Sequence, residues 1–314
     1  MESTLSYITI TDFRTSLGER LSLTLSYEVF GRPLGEAPVV LITHALTGNS
    51  AVAGEKGWWN KVVSKGGAID LDRYTALCFN MPGNGYDKIE ESLPLKILLA
   101  DIAGLFLAAL AILKITHLRA LIGGSIGGSL GWEMLAKSPK LTEIFIPIAC
   151  DYRTTDWLFS QCLIQKYLLS HPIEPLQKAR AHAMLCYRTP ESLNARFQGE
   201  IASNSGVRRS QEWIEFHGKK LNERFSLRAY RFMNHLLTTI NVKKESLREI
   251  EAKIYFIAID SDLFFPGKEM KDCYELLHAN QKEVDYFEIK SVHGHDAFLI
   301  EYPQLNTLIN KALK

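Results

Sequence analysis

The sequence has few cysteines, no excess of either charge and no long uninterrupted apolar run. Its five cysteines are odd in number and form no C-x-x-C pair; they are Cys78, Cys150, Cys162, Cys186 and Cys273. This usage argues against a disulfide scaffold or a structural zinc site and favours a reducing cytoplasm. With 36 Lys plus Arg against 35 Asp plus Glu, the net charge is +1, so we expect no nucleic-acid partner.

Two segments bear on membrane targeting. Residues 1–31 lack a basic run followed by an apolar core, so we expect no signal peptide. Residues 93–115 are very apolar, but three charged residues interrupt them. The uncharged run 102–113 is too short to cross a bilayer core of about 30 Å. We therefore predict a buried helix here, and a cytoplasmic protein with no membrane partner.

The composition is that of a folded protein. Hydrophobic residues make up 46% and charged residues 23% of the 314, which supplies enough apolar side chain for a core and excludes disorder as the main state. No linker rich in Pro, Gly or Ser and no repeat divides the chain. The length allows one large domain or two small ones.

The first half alternates strands and helices. Residues 9–13 and 21–30 alternate apolar and polar side chains, as in an antiparallel hairpin. Unbroken apolar runs indicate strands that are covered on both faces, which is typical of a parallel sheet between helices. These runs are 38–43, 74–79, 119–122 and 144–148, with helices predicted at 103–113 and 127–136.

The alternation stops between residues 151 and 250, which we call the insertion. Four helices are predicted there: 157–169, 175–187, 210–224 and 227–240. Strands return at 253–259 and 284–289, before a last helix at 296–311. We predict a core domain of residues 1–150 and 251–314, with the insertion as a helical lid over the carboxyl ends of the strands.

The insertion has a charge of its own. It holds 16 Lys plus Arg and 10 Asp plus Glu, a net charge of +6, which leaves −5 for the remainder. A lid that attracts an anionic substrate would explain this excess. A solvated helical surface explains it as well, and we prefer that simpler interpretation.

The strongest local motif is GGSIGG at residues 123–128, which contains G-x-S-x-G around Ser125. It follows a short apolar strand and precedes a helix, the setting of a nucleophile elbow. The serine there takes strained backbone angles, so the residues two before and two after it must be small. A plain glycine-rich turn or a phosphate loop is the alternative, but the G-K-[ST] of a Walker loop is absent.

A nucleophilic serine needs a histidine base and an orienting carboxylate. In the order Ser, Asp, His, these come from the loops after the last two predicted strands. Asp260 competes with Asp262 for the acid, and His293 competes with His295 for the base. We favour His295, because a helix is predicted to start directly after it.

A developing oxyanion needs two N–H donors. The residue after the nucleophile, Ile126, supplies one candidate amide. Leu46, in the loop after the strand at 38–43, supplies the other. We interpret His44 in the same loop as structural. The remaining histidines show no metal-ligand spacing such as H-E-x-x-H, so we expect no metal site.

Several longer stretches resemble the homoserine O-acetyltransferase family. They include HALTGNSAVAG, GGSIGGSLGWE, CYRTPESLNARF, FHGKKLNERFSLRAY and GHDAFLIE, and they follow the family's order. The resemblance implies an α/β-hydrolase fold with a mostly parallel eight-stranded sheet, helices on both faces and a helical lid. It also implies a homodimer through the lid helices, with which the apolar segment 227–240 is compatible.

The resemblance implies roles for individual residues. Ser125 would be the nucleophile, His295 the base, Asp262 its partner, and the amides of Leu46 and Ile126 the oxyanion hole. Asp296 matches the aspartate that recognises the amino group of homoserine. The loop 80–86 takes the place of a glycine-rich loop beside the active site.

One position departs from the family. Gln165 stands where the first lid helix carries an arginine for the substrate carboxylate, and the adjacent Lys166 is the substitute that we expect. Lysine offers a point charge in place of the two-pronged guanidinium.

Three functions are weighed. The first is transfer of an acetyl group from acetyl-CoA, as co-substrate, to the hydroxyl of L-homoserine, with no bound cofactor. The second is ester or thioester hydrolysis by the same three side chains. The third, ranked last, is a non-catalytic protein on a degenerate hydrolase fold.

Overall fold

The computed structural model describes residues 4–87 and 96–314. Residues 1–3 of the predicted signal-free N-terminus and residues 93–95 of the apolar segment lie outside the described residues. Among the residues described, no helix combines the length and hydropathy needed to cross a membrane.

An eight-stranded sheet forms the centre of the molecule. The described residues form ten strands: β1 (Ser6–Arg14), β2 (Arg20–Gly31), β3 (Val39–Thr43), β4 (Val63–Ser64), β5 (Ile69–Asp70), β6 (Thr75–Phe79), β7 (Leu118–Gly124), β8 (Thr142–Ile148), β9 (Lys253–Ile259) and β10 (Val284–Ile289). The sheet order is β1-β2-β6-β3-β7-β8-β9-β10, while β4 and β5 form a separate small ladder that was not predicted. Only the β1–β2 and β2–β6 pairs of the large sheet are antiparallel.

Ten α-helices connect or cover these strands within the described residues. They are α1 (Leu99–Ile112), α2 (Ile126–Lys137), α3 (Asp156–Leu169), α4 (Pro175–Tyr187), α5 (Pro190–Phe197), α6 (Arg209–Asn222), α7 (Leu227–Leu237), α8 (Lys244–Glu249), α9 (Gly267–Ala279) and α10 (Tyr302–Leu313). Helices α3 to α8 fall in the insertion between β8 and β9.

The sheet is covered on both faces, which confirms the prediction from unbroken apolar runs. Along β3, Leu41 packs into one core cluster, whereas Val40 and Ile42 pack into another. The first cluster includes α1, α2 and α9, and the second includes α10 and residues 52–69. A strand with helices on both sides buries every side chain, so its sequence shows no polar alternation.

The described part of the apolar segment forms the buried helix that we predicted, which is α1. The Asp101 carboxylate accepts hydrogen bonds from the N–H groups of Leu98 and Ser16, at 2.9 Å and 2.7 Å. Its charge is therefore satisfied at the first turn of α1, where a helix favours an anion.

The prediction of one last helix at 296–311 is wrong. A 3₁₀ helix at Gly294–Leu299 precedes α10, and the two are separate. Pro303 has no N–H group to donate to the preceding turn, and its ring clashes with the carbonyl four residues back, so a continuous helix through it is disfavoured. His295 therefore lies within the 3₁₀ turn, and not before a long helix.

Candidate active site

Ser125 lies at the junction of β7 and α2 in a strained conformation. Its φ is 58° and its ψ is −134°, a left-handed φ that side chains rarely adopt. The chain can turn this tightly because its neighbours have no side chain. A Cβ on Gly123 would lie 2.2 Å from Thr43 Oγ1, and a Cβ on Gly127 would lie 2.1 Å from the Thr43 carbonyl oxygen. The glycines of the motif are thus required by packing against β3.

Three side chains form a continuous hydrogen-bonded line from Ser125. Its Oγ lies 2.9 Å from His295 Nε2, and His295 Nδ1 lies 2.7 Å from Asp262 Oδ2. The other oxygen of Asp262 accepts bonds from the N–H groups of Phe264 and Phe265, at 2.7 Å and 2.9 Å. All three polar residues are at most 5% exposed. The structure thus places a buried Ser–His–Asp constellation at the carboxyl edge of the sheet.

The two competing residues lie elsewhere. Asp260 is exposed and accepts a hydrogen bond from the Ser291 N–H at 3.0 Å. His293 Nδ1 is bonded to Ser192 Oγ at 2.9 Å and to Arg188 Nη1 at 3.1 Å. Both therefore help to hold the segment that leads to His295.

Two backbone amides near Ser125 have no protein acceptor. Within residues 4–87 and 96–314, neither the Leu46 N–H nor the Ile126 N–H donates a hydrogen bond. Ile126 is the first residue of α2, and the N–H groups at the start of a helix point outward and favour negative charge. These two amides are available to an oxyanion at Ser125.

His44 holds the loop that contains Leu46. It is completely buried, and its Nε2 accepts from the Met81 N–H at 2.9 Å while its Nδ1 lies 2.8 Å from the Ala45 carbonyl oxygen. Burial lowers the pKa of His44 to about 4, with the Ala45 carbonyl opposing the shift. The neutral ring therefore ties the Leu46 loop to the loop at 80–86.

Asp296 lies beside this line but is paired with an arginine. Its Oδ2 is 3.2 Å from Arg188 Nε, although the two are not aligned as a hydrogen bond. Burial raises the pKa of Asp296, and the charges of Arg180 and Arg188 oppose that rise. The side chain keeps 20% exposure, so it remains open to a ligand.

The structure does not bring Lys166 to Asp296. Lys166 is exposed and lines a cavity of about 420 Å³ between α3 and α7, together with Arg231 and His235. Gln165 is buried, and its Nε2 lies 2.9 Å from His182 Nδ1. Successive residues of a helix point about 100° apart, so two neighbours do not share one face.

Three arginines near the site were missed by sequence reasoning. They are Arg180 of α4, Arg188 just after α4, and Arg224 just after α6. Arg224 Nη1 donates to the Thr47 carbonyl oxygen at 2.9 Å, beside the Leu46 loop. The net charge of +6 in the insertion could have pointed to these arginines. We had interpreted that charge as a solvated helical surface instead.

No metal site accompanies this chemistry in the part of the chain that the structure describes, since no three His, Cys, Asp or Glu side chains cluster suitably. A serine, a histidine and an aspartate at the carboxyl edge of such a sheet define an enzyme of the α/β-hydrolase class. Residues 38–142 match the model of the alpha/beta hydrolase fold.

Comparison with known proteins narrows this class. Over 95% of this chain, 30% of residues are identical to the homoserine O-acetyltransferase of Symbiobacterium thermophilum, of which 90% is covered. That of Deinococcus radiodurans is 31% identical, with 95% and 88% of the two chains covered. The chain belongs to the homoserine O-acetyltransferase family.

A solved structure supports the fold. The homoserine O-acetyltransferase from Bacillus anthracis superposes with a TM-score of 0.90 at 17% identity, covering 100% of this chain and 98% of the other. The eight-stranded α/β-hydrolase sheet predicted from the sequence is therefore confirmed.

Proposed function

We propose that this protein transfers an acetyl group from acetyl-CoA to the hydroxyl of L-homoserine, a step of methionine biosynthesis. The observation that carries the proposal is the buried line from Ser125 through His295 to Asp262, with the ionic pair Arg188–Asp296 directly beside it. Family membership supplies the reaction class, and the site supplies groups suited to each step.

In the first half-reaction, Ser125 Oγ attacks the thioester carbonyl carbon of acetyl-CoA while His295 Nε2 takes the hydroxyl proton. The Leu46 and Ile126 amides hold the oxyanion of the tetrahedral intermediate. Collapse breaks the carbon–sulfur bond, and His295 returns the proton to the leaving thiol. The products are acetyl-Ser125 and free CoA.

In the second half-reaction, the homoserine hydroxyl attacks the acetyl carbon of acetyl-Ser125. His295 removes its proton and passes one to Ser125 Oγ as the ester bond breaks. Asp262 holds the imidazole in the correct orientation and stabilises its charged form throughout. O-acetylhomoserine leaves, and the free serine is restored. Every step uses side chains and backbone amides of this protein together with the two substrates, so the proposal needs no bound cofactor.

Acyl transfer requires that water be kept from acetyl-Ser125, since water would divert the intermediate to hydrolysis. The insertion supplies side chains over the site, because Tyr187 at the end of α4 lies with its ring 5.5 Å from that of His295. We assign the insertion the role of a lid over residues 1–150 and 251–314.

We also propose a homodimer formed through the insertion. The surface that supports it lies on α3, where the aromatic side chains of Phe159 and Tyr167, about 80° apart around the helix, are 50% and 62% exposed. Exposed aromatic side chains clustered on one helix are typical of a protein interface. The apolar residues of α7 do not contribute to such a surface, because the side chains of Phe232, Met233 and Leu236 are buried. The five free cysteines support a cytoplasmic location.

The decisive experiment follows thiol release from acetyl-CoA with and without L-homoserine. We expect release to be stimulated by homoserine, and mass spectrometry of the quenched enzyme to show an acetyl group on Ser125 when homoserine is omitted. Fast thiol release without any acceptor would point to a hydrolase. Absence of any acylation of Ser125 by acetyl-CoA would contradict the proposal.

A further inference from the structure

We propose that a cavity between α3 and α7, which we call the α3–α7 cavity, binds an amphipathic anion of the fatty-acid class. Its lining comes from these two packed helices and includes Leu163, Lys166, Leu169, Arg231, Asn234 and His235. The cavity holds about 420 Å³, which is in the size range of small-molecule sites in proteins. The inference does not depend on the proposed function, because Ser125, His295 and Asp262 do not line this cavity.

The α3–α7 cavity is separate from the candidate active site. The arginines around Asp296 do not line it, and the lid residue nearest to His295, Tyr187, belongs to α4. Phe159 lines the cavity and also belongs to the α3 surface that we propose for the homodimer, so a ligand here would lie beside that interface. The ligand is therefore neither of the two substrates of the proposed reaction.

One part of the lining is apolar and suits an aliphatic chain. Leu169 is 1% exposed, Leu163 is half-buried, and Phe159 is 50% exposed. Burial raises the pKa of the Cys162 thiol to about 12, so this lining residue stays neutral and behaves as a small apolar group. Each methylene group that such a lining removes from water should tighten binding about fourfold.

The other part of the lining is cationic. Lys166 is exposed, and its ammonium group has no carboxylate within ion-pair distance across residues 4–87 and 96–314. Arg231 is exposed as well, and its one hydrogen bond in the described part of the chain runs from Nη2 to the Leu169 carbonyl oxygen. No Asp or Glu is among the described residues that line the cavity. Two cations beside an apolar wall favour a ligand that is both anionic and apolar.

His235 adds a polar group beside Lys166. Its Nε2 lies 3.1 Å from the Ile97 carbonyl oxygen. Burial lowers the pKa of His235, the Ile97 carbonyl opposes that shift, and the charge of Lys166 lowers the pKa further. The ammonium group and the imidazole are thus within electrostatic reach of each other. One anion between them would offset the charge of Lys166 and allow the ring to bind a proton.

The cavity is held open by two hydrogen bonds between its helices. Arg231 Nη2 of α7 donates to the Leu169 carbonyl oxygen at the end of α3, at 2.5 Å. Asn234, which is 6% exposed, donates from Nδ2 to the Cys162 carbonyl oxygen at 3.0 Å. Both bonds join a side chain of α7 to the backbone of α3, so they fix the two walls relative to each other. A preformed site loses little conformational entropy when it binds a ligand.

The test is calorimetric titration of the natural protein with decanoate, at concentrations below micelle formation. Two comparison ligands separate the contributions. Octanoate keeps the carboxylate but has two methylene groups fewer, and decyltrimethylammonium keeps the ten-carbon chain but carries the opposite charge. We expect saturable binding of decanoate, binding of octanoate weaker by about 15-fold, and no saturable binding of decyltrimethylammonium.

Variants of the lining locate the site. Lys166→Gln should weaken decanoate binding about tenfold, because a charge-assisted hydrogen bond is lost. Lys219→Gln is the matched control, since Lys219 is also exposed on an insertion helix but does not line the cavity. Leu163→Trp fills the cavity and should abolish binding. Thermal unfolding and the burst of nitrophenol from p-nitrophenyl acetate check that each variant is folded. If Leu163→Trp does not fold, Lys166→Gln decides.

Four outcomes overturn the inference. The first is the absence of saturable decanoate binding by the natural protein. The second is equally tight binding of decyltrimethylammonium, which would show adsorption to an apolar surface without regard to charge. The third is a loss of decanoate binding in Arg180→Gln but not in Lys166→Gln, which would place the ligand in the candidate active site. The fourth is an equal loss in Lys166→Gln and Lys219→Gln, which would reflect overall charge alone.

Discussion

The two sides of the candidate active site are built differently. At the carboxyl edge of the sheet, Ser125, His295 and Asp262 are buried and joined by hydrogen bonds of 2.7 Å and 2.9 Å. On the side formed by the insertion, Arg180 is half-buried and has no ion-pair partner among residues 4–87 and 96–314, and the contact of Arg188 with Asp296 at 3.2 Å is poorly aligned. The catalytic side is complete without a ligand, whereas the side formed by the insertion, which we call the recognition side, keeps charged groups that are not fully paired within the described part of the chain.

The difference follows from what supports each side. Short loops after parallel strands, fixed by buried neighbours, carry the catalytic groups on a rigid base. Long arginine side chains, with several rotatable bonds each, reach the site from α4 and from residues just after α4 and α6. Preorganised groups favour the chemical step, while adaptable groups suit the binding and release of substrate.

The strongest test of the catalytic side is Ser125→Ala. Loss of the attacking oxygen should reduce homoserine-dependent thiol release about 10⁵-fold or more, as expected for a nucleophile of this kind. Ser129→Ala, one turn along α2, is the matched control, because that hydroxyl only donates to the Asp151 carbonyl oxygen at 2.7 Å. Activity retained by Ser125→Ala would remove the basis of the mechanism.

The next largest effect is expected for Asp262→Asn. An amide in place of this carboxylate fixes the wrong tautomer of His295, so kcat should fall by about 10³- to 10⁴-fold. Asp260→Asn is the control, since Asp260 is exposed and contacts a loop N–H group. Steady-state thiol release measures both variants. If Asp260→Asn proved the more damaging, the acid of the constellation would be misassigned.

Asp296→Asn tests the recognition side. The amide cannot pair with the homoserine ammonium, so we expect KM for L-homoserine to rise about 10- to 100-fold. Acylation by acetyl-CoA should change little, because the donor carries no ammonium near this position. The acceptor 4-hydroxybutyrate, which lacks the amino group, should react equally with both enzymes. A parallel loss of acylation would show that Asp296 acts through its neighbour His295.

The smallest expected effect is on stability and comes from Asp151. This buried carboxyl lies at the same sheet edge as Ser125, but its hydrogen bonding is incomplete. Asp151 follows β8; its Oδ1 accepts from the Tyr152 N–H at 2.7 Å, but its buried Oδ2 has no partner among the described residues. Burial raises the pKa of Asp151 from 3.8 to about 7, with Glu269 adding to the rise and the Tyr152 N–H and Arg153 opposing it.

The sign of the pH dependence follows from this shift. Between pH 4 and 7 the folded protein holds a proton on Asp151 that the unfolded chain has released, so stability falls as the pH rises through this range. Asp151→Asn removes the ionisation and should gain about 2 to 3 kcal/mol at pH 8 relative to pH 5. Thermal unfolding at the two pH values measures this. An equal change in Tm at both would contradict the assignment.

Much of the fold was predictable because its signals are local. The unbroken apolar runs identified strands such as β9 at Lys253–Ile259 within a residue or two. Helices α5 and α8 were missed, since they have only 8 and 6 residues and too few turns to show a period. The split between the 3₁₀ turn and α10 depends on Pro303, whose effect the apolar pattern conceals.

At the candidate active site, local sequence patterns predicted some residues correctly and failed for others. The glycine spacing around Ser125 identified the strained turn, because the steric requirement lies within six consecutive residues. Lys166 was chosen as a neighbour of Gln165 in sequence, yet the helix directs the two side chains to different surroundings. Proximity in sequence does not determine which face of a helix a residue occupies relative to the rest of the protein.

The sequence by itself determined the order of strands and helices, the elbow at Ser125 and the presence of an acid and a histidine in the last two loops. The tertiary structure alone decided that Asp262 and His295 face the serine while Asp260 and His293 do not, and that arginines of the insertion gather around Asp296. Side-chain periodicity can be read from consecutive residues, whereas the convergence of residues far apart in the chain depends on how whole elements pack. No local pattern carries that information.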